Sequence, residues 1–176
     1  MKYLLIIVVM AIFVLLYYSF QMEKSERYQR EPKISNLTIE SSMGQETITL
    51  DCTTNTVLIW FHPECENCRY QLNTINSHIE QLPATRFIFI TDERTFFTNN
   101  DIIHWPNLIN SSQVLFGIID RSKFISEFGP VINPSLLFFN HEGLLKEKLL
   151  GEVKIAKIVN MINKHTVPEQ KISGPN

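Results

Sequence analysis

Cys65 and Cys68, in the run Cys65-Glu66-Asn67-Cys68, are the residues of this sequence best suited to chemistry. Two thiols three residues apart can close an internal disulfide or supply half of a metal site. If the pair opens a helix, the first thiol sits among the unsatisfied N–H groups of the first turn. These favour a thiolate, the attacking species in disulfide exchange. The second thiol, three residues on, shares the same helical face and lies within disulfide reach. Cys65 is therefore expected to be the exposed nucleophile that forms a mixed disulfide with a partner, and Cys68 the more buried thiol that resolves it. Glu64 and Glu66 place negative charge beside the pair, which disfavours a thiolate and favours a reductant over a strong oxidant; His62 and Arg69 could act the other way.

The surrounding pattern supplies elements to position such a pair. Thr56 to Phe61 is a continuous apolar run rich in β-branched and aromatic residues, as expected of a strand buried on both faces. A helix is predicted from the cysteines to about Leu82, with Leu72, Ile75 and Ile79 on one face, and a second buried strand over Arg86 to Ile90. Strand, helix and strand in about 35 residues make a βαβ unit. Upstream, Leu37 to Glu40 and Thr47 to Leu50 flank a polar turn and predict a hairpin. The stretch 92–112 carries little periodicity, with Phe96-Phe97 and Ile102-Ile103 assigned to short helix. Val114 to Ile119 predicts a strand, and Arg121 to Phe128 a helix stopped by Gly129-Pro130. Ser135 to Phe139 and Leu144 to Leu150 predict an antiparallel hairpin around His141-Glu142-Gly143, and Glu152 to His165 an amphipathic closing helix. No internal repeat is found.

With Cys65-x-x-Cys68 at a helix start, Val57-Leu58-Ile59-Trp60-Phe61 before it, Asn133-Pro134-Ser135 leading into Leu136 to Phe139, the turn at Gly143 and Gly151 before the last helix, the chain resembles thioredoxin-like proteins of the TlpA/ResA type. The resemblance spans about residues 37–165. It implies an α/β thioredoxin fold, a mixed central sheet flanked by helices, with an N-terminal β-hairpin and one N-terminal transmembrane helix. It also implies a cis Pro134 facing the cysteines, with Asn133 and Pro134 contacting substrate, no cofactor, and disulfide exchange with protein substrates outside the cytoplasm. A membrane-embedded thiol transporter would then deliver the electrons. The chain departs from the family at three positions. Glu64 stands where tryptophan is usual, Ile59 where cytoplasmic thioredoxins keep a buried aspartate, and Gln71 where some members have a glutamate.

Other chemistries use the same residues. A closed zinc site would add Cys52 and His62 to the pair, since structural zinc needs four N or S ligands. A copper-delivery reading would call on His104 or His141, but its usual spacing is Cys-x-x-x-Cys. A peroxidase of the peroxiredoxin type requires a Pro-x-x-x-Thr-x-x-Cys context, and neither cysteine has that threonine. An inert docking module of the same fold is a further alternative. Taken alone, His62 reads as a packed or solvated side chain, and Cys52 as a small buried hydrophobe. Asn36-Leu37-Thr38 and Asn110-Ser111-Ser112 match a short glycosylation pattern that often arises by chance.

Residues 3–20 carry no charge and would reach about 27 Å as a helix, enough for a signal-anchor across a bilayer. No small-residue cleavage site or lipobox cysteine follows. The expected organisation is a transmembrane anchor over 1–20, a linker over 21–35, one domain over 36–165 and a disordered tail over 166–176. Counting positive charges opposes an outward-facing domain, because Lys24, Arg27, Arg30 and Lys33 follow the span while Lys2 and the terminal amine precede it. Placement on the outer face of a bacterial cytoplasmic membrane rests on the resemblance. With 16 basic and 18 acidic residues scattered along the chain, nothing favours nucleic acid, which needs clustered cations.

Overall fold

The computed structural model describes residues 10–18, 32–41, 47–49, 54–98 and 101–165. The chain forms two units, residues 1–31 and a domain from residue 32 onward. In the first, residues 10–18 are helical (α1) and leave Phe13, Leu15, Leu16 and Tyr18 exposed. Among the described residues no helix is long and apolar enough to cross a membrane. The rest of the expected span, 1–9 and 19–20, lies outside them, as do the tail 166–176 and most of the expected linker.

Among the described residues the domain is built on a seven-stranded mixed sheet. Its strands are β1 (Thr38–Ser41), β2 (Thr47–Thr49), β3 (Thr56–Trp60), β4 (Arg86–Thr91), β5 (Val114–Ile118), β6 (Ser135–Phe139) and β7 (Leu145–Leu150). They lie in the order β2-β1-β5-β4-β3-β6-β7. The three central strands β5, β4 and β3 are parallel, and every other pairing is antiparallel. The helices are α2 (Glu66–His78), α3 (Thr95–Thr98), α4 (Pro106–Asn110), α5 (Arg121–Phe128) and α6 (Ile155–His165).

Alternation along the buried strands divides the core in two. Val57, Ile59, Phe87 and Phe89 pack with Leu72 and Ile75 of α2, Leu108 of α4, and Ile158 and Ile162 of α6. Leu58, Trp60, Ile88 and Ile90 point the other way, to Phe124 and Phe128 of α5 and to Ile34, Leu37 and Ile39. Strands covered on both faces have no polar side, which is why β3 and β4 read as unbroken apolar runs.

The domain begins earlier than residue 36. The Ile34 amide donates to Gly143 O at 2.9 Å, the Leu145 amide donates to Pro32 O at 3.0 Å, and Lys33 bridges Leu144. Ile34 is fully buried. Residues 32–35, expected to be linker, thus line the start of β7 because the backbone of the β6–β7 turn pairs with them. The weakly patterned stretch 92–112 resolves into α3, a 3-10 turn over Asp101–His104, and α4, with Phe96, Trp105 and Leu108 as its buried anchors.

Gly117 of β5 has a steric reason. A Cβ there would stand 2.4 Å from Ile39 Cδ1 and 3.1 Å from its Cγ1, so the absent side chain is the space that Ile39 fills. Gly117→Ala is expected to destabilise the domain by about 1–3 kcal/mol through overpacking, read as a lower denaturation midpoint. Adding Ile39→Val should restore part of that loss.

Candidate active site

β3 ends beneath the cysteine pair, with the Phe61 amide donating to Ile90 O of β4 at 3.0 Å. A turn through Pro63 and Glu64 follows, closed by the Cys65 amide on His62 O at 3.1 Å. Cys65 is the N-cap of α2. Its backbone is extended (φ −81°, ψ 118°), and its sulfur accepts the Cys68 amide at 3.4 Å. A helix start leaves such amides without carbonyl partners, so a polarisable acceptor at the N-cap satisfies one of them and fixes the sulfur over the first turn.

The two thiols meet different surroundings. Cys65 is partly exposed, and Cys68 is fully buried within the core beneath α2. Burial, first of all, pushes the Cys68 thiol up to about 12, and its contact with Cys65 adds to this. The His62 amide, donating to Cys68 Sγ at 3.5 Å, works the other way.

The opposite wall comes from the loop before β6. In the β3–β6 ladder Trp60 stands opposite Ser135, which brings residues 133 and 134 to the end of β3. The Asn133–Pro134 peptide is cis. The Cys65 thiol donates to Asn133 O at 3.7 Å. The Ser135 hydroxyl donates to Ile132 O at 2.6 Å and accepts the Ile132 amide at 3.1 Å, and the Gly151 amide holds Pro134 O at 2.8 Å. Cys65, Cys68, Asn133 and Pro134 are therefore brought together although 68 residues separate Cys65 from Asn133.

Several other residues have defined places. Glu64 and Glu66 are exposed, where solvent screens their charge. The His62 Nδ1 accepts the Glu64 amide at 3.3 Å, so the imidazole is bound into the turn. Gln71 is fully buried, and its Oε1 accepts the Val153 amide at 2.6 Å. It ties α2 to the entry of α6, and among the described residues its Nε2 has no hydrogen-bond partner. His104 lines a cleft of about 230 Å³ with Pro63, Glu64, Arg69, Phe96 and Trp105. His141 sits in the turn after β6, at the end of that strand away from Pro134. Among the described residues no group of three or more His, Cys, Asp or Glu side chains could hold a metal ion. Cys52 lies outside them.

Two contacts had no counterpart in the sequence reading. One is the Trp60 indole N–H donating to Asn133 Oδ1 at 2.9 Å across 73 residues. The other is the Gln71–Val153 bond, across 82. Both join polar atoms of residues that local pattern places in separate elements, so only the folded register reveals them.

The contrast between the thiols sets an expected outcome. Brief iodoacetamide treatment of the reduced, folded protein at pH 8 should alkylate Cys65 and leave Cys68 unmodified in peptide mass maps, with Cys68 reacting only as pH approaches about 12 or on unfolding. The linked stability has a definite sign. A thiol raised in the folded state favours folding below its ordinary value near 9 and loses that contribution as pH climbs toward 12.

No protein-family model matches the chain, and no curated protein sequence does. Solved structures do match. MTB dsbF, in its mixed oxidised and reduced forms, aligns at 13% identity with a TM-score of 0.63, over 78% of this chain and 100% of that one. A secreted Mycobacterium tuberculosis disulfide oxidoreductase homologous to E. coli DsbE aligns at 13% identity and 0.59, over 79% and 98%. A peroxiredoxin-like protein from Aquifex aeolicus aligns at 10% identity and 0.59, over 73% and 82%. These likenesses show that the chain has the thioredoxin-like fold found in thiol-disulfide oxidoreductases.

Proposed function

We propose that this thioredoxin-like chain is a thiol-disulfide oxidoreductase that reduces disulfides of exported proteins through Cys65 and Cys68. The observation that carries the reading is the asymmetry of the pair. One sulfur is accessible at a helix N-cap and faces a loop that substrate can approach, and the other is buried directly behind it.

The reaction follows from that geometry. Cys65 attacks a client disulfide, one client sulfur leaves as a thiol, and a Cys65–client mixed disulfide forms. Cys68 then attacks Cys65, releasing the second client thiol and closing the internal disulfide. Two electrons pass from the pair to the client and must be replaced. Outside the cytoplasm a membrane thiol transporter would supply them. Asn133, partly exposed beside Cys65, would meet the client, with the buried Pro134 backing it.

Extracytoplasmic action is supported by the uncharged run 3–20, read as a membrane anchor, and by the secreted Mycobacterium tuberculosis neighbour. Impermeant thiol reagents should label Cys65 in intact cells or spheroplasts. Labelling only after lysis would reverse the assigned topology. The Aquifex aeolicus neighbour raises the peroxidase alternative. Among the described residues, however, the hydrogen-bond partners of the Cys65 sulfur are the Cys68 amide and Asn133 O, with no threonine hydroxyl or arginine for a peroxide.

The decisive experiment is a trap. Cys68→Ser removes the resolving thiol, so the variant should accumulate covalent adducts with client proteins through Cys65, sensitive to dithiothreitol and identifiable by mass spectrometry. Adding Cys65→Ser should abolish them. Absence of any adduct from Cys68→Ser would sink the exchange reading.

A further inference from the structure

We infer that Trp60, a core residue with no contact to either sulfur among those described, is a positioning residue that biases the cysteine pair toward its dithiol form by holding Asn133. The inference rests on the exchange reading above. Asn133 carries two bonds at once: its Oδ1 accepts the Trp60 indole N–H at 2.9 Å, and its main-chain oxygen accepts the Cys65 thiol at 3.7 Å. The neighbouring carbonyls of Ile132 and Pro134 are already engaged by Ser135 and Gly151. Asn133 is thus the residue of this loop whose carbonyl is committed to the redox pair.

Trp60 is a rigid anchor for that commitment. It is fully buried, its ring lies 4.7 Å from that of Phe124 between centroids, and the Arg121 guanidinium stands 5.9 Å over its ring centroid. When glutathione disulfide oxidises the pair, the Cys65 and Cys68 S–H bonds are lost and one S–S bond forms. Two electrons and two protons pass to glutathione, whose own S–S bond breaks to give two thiols. The Asn133 carbonyl then faces a sulfur that has no hydrogen to donate. A loose loop would turn that carbonyl to water, whereas the Trp60 bond resists the turn. The disulfide form carries this loss, and the dithiol form does not.

The test is equilibration of the full chain with reduced and oxidised glutathione. Trp60→Phe keeps the aromatic ring and removes the N–H. It should shift the equilibrium constant toward protein disulfide about two- to fivefold, the size of a weak S–H···O contact, which is roughly 9–21 mV at 29.6 mV per tenfold. Asn133→Ala, which leaves the core intact, should shift it the same way and decides the matter if Trp60→Phe does not fold. With Trp105→Phe leaving Trp60 as the single tryptophan, indole emission should differ between dithiol and disulfide, and Asn133→Ala should remove that difference. A constant unmoved by the folded variants, or emission indifferent to redox state, overturns the role of Trp60 while leaving exchange intact. A pair that never equilibrates with glutathione sinks both readings.

Discussion

The antiparallel ladder between β3 and β6 joins the two halves of the site. Cys65 follows β3 by a short turn, and Asn133-Pro134 precedes β6. Neither segment can find the other until Trp60 lies opposite Ser135. The register is held by burial on both faces, since Val57 and Ile59 fill one core while Leu58 and Trp60 fill the other. A slip of one residue would exchange the two sets of side chains and carry the loop off the sulfur. The apolar pattern that makes β3 a strand is thus the same pattern that aligns the chemistry.

Within that frame, two thiols three residues apart acquire different characters from one helix. The N-cap position turns Cys65 outward and gives its sulfur an amide to accept. One turn further in, the same helix faces the core, and Cys68 is enclosed with Leu72 and Ile75. Amphipathicity, which is a packing requirement, here also sorts an accessible sulfur from a sealed one. Gln71 continues that inner face and spends its carbonyl oxygen on Val153, which fixes α2 against the start of α6.

Sequence made much of this legible, for identifiable reasons. Helix α5 has the bounds its punctuation indicates, because Asp120 caps it by accepting the Ser122 and Lys123 amides and Gly129 (φ 74°) ends it. The strands β3, β4 and β6 are marked by unbroken apolar runs, and Cys-x-x-Cys marks its own helix start. The cis Asn133–Pro134 peptide was expected only through resemblance, since nothing local in Ile132-Asn133-Pro134-Ser135 demands it. Residues 92–112 stayed obscure because helices of four and five residues are too short for periodicity, and they are set by Phe96, Trp105 and Leu108 entering the same core as Leu72 and Ile75 of α2. The early start of the domain at Pro32 was hidden because its bonds are main-chain bonds to a turn more than a hundred residues away, which side-chain pattern does not record.

The acidic neighbours of Cys65 weigh less than sequence suggested. Two unit charges 4 Å apart in water interact by only about 1 kcal/mol, and beyond about 8 Å physiological salt screens most of what is left. Glu64 and Glu66 are exposed to that screening. The burial of Cys68 is not screened, and it acts on the second half of the proposed cycle. A buried thiol raised to about 12 is seldom a thiolate, so its attack on a Cys65–client disulfide needs a proton acceptor. Gln71 is not a carboxylate, and its oxygen is already bonded. On the exchange reading, Cys68 must therefore lose its proton to another group or to solvent before it can resolve the mixed disulfide and free the client.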